Sequence, residues 1–288
     1  ASLAFILQAI QQATLQPNKA LNTTNMLGKL CKTNPSINTT TTDTTNATTN
    51  MSSTINSYPL LVQPITYPIF DVSKSHCSLL PKWIARCRSM SEIQQALIWS
   101  HSHNLPTKPI GCGHSWSEVS NVAKNGVLID TRSMSRLLWI ENNTVCVQPG
   151  MSLRDLTRHL SKRNLCLPSL PVLLRQTVGG AVSTGSHGSS LMHGTLSDSI
   201  SSLVVVSNDG QNIEVLKDTD TLMTERLRAS RMGLGCMGVL VEIRLKVVNM
   251  YRIYRNEHVI SMKRNYKYSI NKIIKQLALN NEHCWIHW

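Results

Sequence analysis

The sequence predicts a mixed α+β fold, and three observations predict it. Short β-type runs and amphipathic helical stretches are interspersed along residues 67–248, with no internal repeat. Asn208-Asp209-Gly210, set between two apolar runs, is a strong hairpin signal. Two Gly-rich segments, Pro109–Trp116 and Gln176–Ser190, break the periodicity as loops.

The elements follow in chain order. Asn38 to Asn56 is nearly all Thr, Asn and Ser, with one charge. It has too little to bury to offset its ordering entropy, so residues 1–66 are expected to be disordered. Asn22, Asn38, Asn46 and Asn50 lie in N-x-[ST] sequons; a secreted chain would carry a glycosylated stalk here, although a Thr-rich tract also creates such triplets by chance. Ser2–Leu7 is a short apolar start without the basic n-region of a signal peptide. Order is expected from Tyr67. Met90–His103 repeats apolar residues at Ile93, Ala96, Leu97 and Trp99, a helix entered through Ser89 or Ser91 and stopped by Pro106. Gly126–Thr131, Leu137–Glu141 and Val145–Gln148 read as strands. Ser152 and Asp155 resemble a capping box opening a helix to about Arg163. Leu203–Val206 and Ile213–Leu216 are the hairpin arms. Asp220–Arg231 is helical in character and Val239–Val248 is a long strand. Tyr251–Trp288 reads strand, helix (Ile270, Ile273, Ile274, Leu277), strand.

The formal net charge is +13. Such an excess suggests nucleic acid or an anionic surface, but its distribution argues otherwise. Residues 71–248 mix nineteen basic with thirteen acidic residues, and no nucleic-acid-binding signature accompanies them. The densest patch, Arg252–Lys275, is interleaved with tyrosines and reads as a solvated face, with single-strand binding the weaker alternative. No apolar run approaches the ~20 residues of a membrane-spanning helix. The eight cysteines form no CxxC pair and no zinc-type spacing with histidine, so no metal site is expected. Cys146 and Cys236 sit in strand-like apolar runs and read as buried thiols.

Chemistry is expected at the two glycine loops. Glycine allows positive φ and a close approach of backbone to ligand, and successive N–H groups in such loops form anion-binding nests suited to a pyrophosphate. The G-x-G-x-x-G of dinucleotide folds is absent, because Gly111-x-Gly113 is followed by His-Ser-Trp. Two loops from different parts of the chain would therefore share the phosphates. Turn glycines of a generic domain remain the plain alternative.

Five motifs carry a family resemblance. Gly111–Trp116 resembles the flavin-attachment loop of the vanillyl-alcohol-oxidase-type, or PCMH-type, FAD-binding family. Gln176–Gly188 resembles its second FAD loop, and Val147–Leu156 its strand-to-helix passage. His193–Asp198 and Gly233–Leu240 complete the order. Within that family the combination is most similar to the sugar-1,4-lactone oxidases. Leu167–Pro171 and His187–Leu191 resemble the gulonolactone-oxidase branch in particular.

The resemblance implies a PCMH-type domain of two α/β subdomains over residues 67–248, with FAD as cofactor. His114 falls where many members attach the flavin covalently. By itself, a loop histidine is more often a hydrogen-bonded structural residue. Ile110, Gly111, Gly113 and Ser115 would line the pyrophosphate with Thr177, Gly179, Gly180, Ser183, Thr184 and Gly185. Cys112 lies between the two glycines of the first loop and reads as a small buried side chain. His187 and Gly188 would continue the wall towards the ribityl chain, and Gly238 and Val239 would meet the nucleotide end. Pro171 falls where the family places a residue controlling oxygen access. Asp198 and Asp209 read as loop and turn residues, not bases.

The implied reaction oxidises the alcohol of a sugar lactone by hydride transfer to flavin N5, with O₂ as acceptor giving H₂O₂. Family substrate-positioning groups, including a Glu/Arg pair, come from a C-terminal cap domain. Here that domain would begin near Tyr251 and occupy 249–288, too short to be complete, so the catalytic residues are unassigned. Another oxidase or dehydrogenase of the superfamily, of cytokinin-dehydrogenase or alditol-oxidase type, and an inactive FAD-binding fragment are the alternatives. The family includes membrane-associated, mitochondrial and secreted members, so peripheral membrane association is compatible with the resemblance. The tail sequons lean towards the secretory pathway.

Overall fold

The computed structural model describes residues 62–64, 81–115, 117–123, 125–219, 221–257 and 267–285. The Thr/Asn-rich tract and its sequons lie outside the described residues. Val62–Pro64 already forms a strand, β1, upstream of Tyr67. Among the described residues, Leu60–Cys284 falls in one compact unit.

Two sheets organise this unit. In the first, β2 (Trp83–Arg86), β4 (Val127–Asp130) and β3 (Thr107–Ile110) run parallel in the order β1-β2-β4-β3, with β1 antiparallel at the edge. All four residues of β4 are buried, as expected of a parallel strand covered on both faces. Helix α1 (Met90–Ser102) connects β2 to β3. Ser89 caps it by accepting from the Glu92 N–H at 3.2 Å, and the left-handed Asn104 follows its end. Its apolar stripe, Ile93, Ala96 and Leu97, is fully buried.

The second sheet is antiparallel, in the order β5 (Leu137–Glu141), β6 (Thr144–Val147), β10 (Val239–Lys246), β8 (Ile200–Val206) and β9 (Ile213–Lys217). The Asn208-Asp209-Gly210 hairpin joins β8 to β9 as its sequence predicts, with Gly210 at φ 75°. Strand β8 alternates between two cores. Leu203 and Val205 face the cluster under helices α2 (Leu153–Ser161) and α4 (Thr221–Arg231), while Val204 and Val206 join the cluster around α1.

Strand β10 serves both cores by a different route. The register slips between Leu240 and Glu242, inserting Val241 as an extra residue. Val239 and Val241 therefore face the α1 core, while Ile243 and Leu245, of the same parity, face the other. Beyond it the long strand breaks at Val247, and Val248–Asn249 (β11) pairs separately with Leu165–Cys166 (β7).

Three further departures from the sequence reading have local causes. Val178–Ser183 is a short helix, α3, not a loop, because Thr177 caps it through the Gly180 N–H. Cys236 is exposed, not buried in a strand. It lies in a turn where Leu234, Gly235 and Gly238 all have positive φ, which a strand cannot accommodate. After Asn249, residues 251–257 carry no strand; helix α5 (Lys267–Asn280) forms, and of the last expected strand His283 makes a single bridge to Ser190.

Candidate functional site

Parallel β3 and β4 end side by side, and the first glycine loop leaves from the end of β3. Ile110 O accepts from both the Thr131 N–H at 3.1 Å and the Thr131 hydroxyl at 3.3 Å, which fixes where the loop departs. Beyond it, the amides of Gly111, Cys112, Gly113, His114 and Ser115 donate to no acceptor among the described residues. Gly113 takes φ 67°, the left-handed turn that glycine makes without strain. Five successive unengaged N–H groups are the makings of an anion nest.

The second loop closes on the first. Val178 N–H donates to Met151 O and Gly179 N–H to Pro149 O, both at 2.8 Å. The N-terminus of α3 is thereby satisfied by the chain itself. Glycine is needed here for contact: a Cβ at Gly179 would sit 2.8 Å from the Pro149 ring, and one at Gly111 would overlap the Thr177 hydroxyl. Thr184 donates its hydroxyl to Gly180 O at 2.9 Å, and Ser186 to Gln176 Oε1 at 3.2 Å, bracing the loop.

The third wall is the 234–240 segment. Leu234 N–H reaches Ser183 O, and Gly235 lies against the Pro109 ring. Together the three segments enclose a cavity of about 120 Å³. Ile110, Gly111, Cys112, Gly113, His114, Ser115, Thr177, Gly179, Gly180, Ser183, Thr184, Gly238 and Val239 all line it, as do Lys108, Thr131, Pro149 and Gln176.

Four other residues named from the sequence stand off this cavity. Pro171 is buried away from it. Gly185 backs onto the Met232 side chain and Gly188 onto Ser169 and Leu170, so their glycine character answers to packing. His187 bonds through Nδ1 with Gly188 O at 2.9 Å and bridges to Thr195. Asp198 accepts from the Thr195 N–H at 2.7 Å and orders a loop, and Asp209 accepts from Gln211 in its turn. Neither carboxylate lines the cavity.

Lys108 and Thr131 carry no site signal in the sequence, and Pro149 carries only its place in the Val147–Leu156 passage. Lys108 and Thr131 join the site through the parallel β3–β4 register, which no local pattern reveals. Asp130, next to Thr131, is buried and held by Arg132 through Nε at 2.9 Å and Nη2 at 2.6 Å. Burial pushes the Cys112 thiol up, with Arg132 pulling the other way, so it stays neutral at ordinary pH.

Two features of this chain fit a phosphate-bearing flavin nucleotide. The unengaged amides offer donors where a pyrophosphate needs them. His114 Nδ1 is buried without a hydrogen-bond partner among the described residues, a costly state that a ligand on that atom would relieve.

Comparison with known proteins agrees with this geometry. Residues 81–216 match the family described as FAD binding domain. The chain is 28% identical to the L-gulonolactone oxidase of Mus musculus over 64% of its length, and 30% identical to the D-arabinono-1,4-lactone oxidase of Candida glabrata over 62%. It spans 41% and 34% of those relatives. A cholesterol oxidase from Brevibacterium sterolicum shares the fold, with TM-score 0.55 and 18% identity over 66% of this chain and 40% of the other. The architecture is the mixed helix-and-sheet fold expected from the sequence, and it is shared with that oxidase.

Proposed function

Because residues 81–216 match the FAD binding domain family, we propose that this chain is the cofactor-holding part of an oxidoreductase acting on the alcohol of a sugar 1,4-lactone. In this reading O₂ is the electron acceptor. The alcohol loses two electrons and two protons in becoming a carbonyl, and O₂ gains both as hydrogen peroxide. The single observation that carries the assignment is the run of unengaged amides from Gly111 to Ser115 beside the unpartnered His114 Nδ1.

Bound in the cleft, FAD would supply the two-electron acceptor that no protein side chain provides. The chain's own part is to hold and orient. The amides of 111–115 would bond the pyrophosphate, and Ser183 would add a hydroxyl on the facing wall, which Thr184 also lines with its own hydroxyl engaged on Gly180 O. His114 would form a covalent link through its ring. The Gly179–Pro149 and Gly111–Thr177 contacts would set the spacing between the two loops. We place the flavin domain at 67–248 and the start of a substrate-facing part at 249–288. The groups that handle the lactone and its proton would belong to that part. The relatives named as lactone oxidases support this substrate class over a polyol or cytokinin.

The test is absorbance after acid precipitation. Flavin colour retained in the washed pellet supports both cofactor and linkage. A protein that folds, takes up no flavin and stays colourless would remove the reading.

A further inference from the structure

The cleft carries one Lys or Arg, Lys108, and no Asp or Glu among its described lining residues. Lys108 stands on β3 and is half-buried. No carboxylate among the described residues lies in ion-pair range of its ammonium. Instead, Nζ donates to Cys236 Sγ at 4.0 Å, a weak acceptor for a full positive charge. Its stem is steered there: a Cβ on Gly235 would lie 3.6 Å from Lys108 Cε and 2.7 Å from the Pro109 ring.

The ammonium of a half-buried lysine without a carboxylate partner is an unmatched charge, and this one shares a cleft with five unengaged amides. The amides offer hydrogen bonds but only partial charges. A diphosphate brings two full negative charges into a partly dry site. An ammonium is a compact point charge suited to that task.

Building on the FAD reading, we propose that Lys108 is the residue that neutralises the diphosphate of the dinucleotide, exchanging Cys236 Sγ for a phosphate oxygen as the ligand enters. The exchange would also bring the 234–238 turn under the ligand's control, because Lys108 and Pro109 both pack on it.

The test uses the full chain, prepared without flavin by riboflavin limitation, as wild type, Lys108→Met and Lys108→Arg. Calorimetric titration with ADP and with adenosine is run across a salt series. Lys108→Met should weaken ADP about tenfold at low salt and flatten its salt dependence, the size expected for one charge-assisted bond. Adenosine, which has no phosphate, should bind all three proteins alike. Lys108→Arg should restore most of the ADP affinity. Unchanged ADP binding in Lys108→Met overturns the inference, and so does an equal loss for adenosine, which would mark a structural defect. Wild-type protein that folds but binds neither ADP nor FAD overturns the FAD reading itself, a result distinct from either.

Discussion

A Cβ built on Gly111 would overlap the hydroxyl oxygen of Thr177, the same oxygen that accepts from the Gly180 N–H at 3.4 Å. The first loop of the cleft and the cap of α3 therefore share one atom. Gly111→Ala must displace it, at a cost of about 1–3 kcal/mol, whereas Thr177→Ala loses a cap worth about 1 kcal/mol. Because the second change removes the oxygen the first collides with, the double variant should be more stable than the sum predicts, by about 1 kcal/mol. Urea unfolding of the four proteins gives the cycle, and strictly additive losses would refute the shared contact.

His114→Ala should release flavin to the supernatant on acid precipitation while leaving it bound in the native protein. Native binding would persist because the amides of 111–115 do not depend on that side chain. Colour that stays in the precipitated variant places the linkage on another residue.

Arg132→Ala should destabilise the fold by about 2–3 kcal/mol. It strips a two-point contact from the Asp130 carboxylate, whose side chain is 4% exposed. The loss falls short of that for a fully buried pair because Arg132 is half exposed and its own N–H still reaches Asp130 Oδ1 at 3.0 Å. Lysine at this position offers one donor direction and should recover only part. A loss below about 0.5 kcal/mol would mean that water replaces the guanidinium.

Gly238→Ala should cost about 2 kcal/mol or more, since φ is +113° and the new Cβ would overlap Val206 O. Because Gly238 also lines the cleft, flavin content should fall with melting temperature. Normal flavin content in a destabilised variant would separate the cleft from the strand that starts there.

Thiol chemistry gives a pH prediction with a definite sign. Burial pushes Cys87 up to about 12 and Cys146 up to about 11, against 9.0 for an ordinary thiol. In the unfolded chain both lose their protons near pH 9, while the folded chain keeps them. The unfolded state then binds fewer protons, so stability falls as pH rises from 9 towards 11–12. Cys87→Ala should flatten part of that alkaline decline in urea titrations. Near pH 8, iodoacetamide should modify the exposed Cys236 well before Cys87 or Cys146, as peptide mapping would show. Early labelling of Cys87 would contradict its burial.

Much of the fold could be read locally. The helix at Met90, its Ser89 cap, the Ser152–Asp155 cap and the Asn208–Gly210 hairpin each depend on residues within a few positions of one another. The two loops of the cleft were legible as well, because glycine clusters mark places where backbone must approach something. Lys108 escaped notice because nothing beside it in sequence says that β3 delivers it to Cys236, 128 positions away. Cys236 was misplaced for a related reason. Its apolar neighbours suggest a strand, while three positive-φ residues around it form a turn that shows only in the backbone.

Gly185, Gly188 and Gly179 sharpen the same division. The family resemblance implies a cofactor contact for all three, yet Gly185 packs on Met232 and Gly188 on Ser169 and Leu170, off the cleft. By itself, the sequence determined the class of fold, the order of its motifs and the two loops where a nucleotide would sit. Only tertiary structure decided which glycines face the cavity, which amides keep their donors unengaged, and which core each half of β10 supports. The physical reason is range. Turns, caps and periodicity are set by neighbours a few residues apart, whereas a cleft is made where strands distant in sequence end side by side, and a single inserted residue, Val241, can turn a strand from one core to the other.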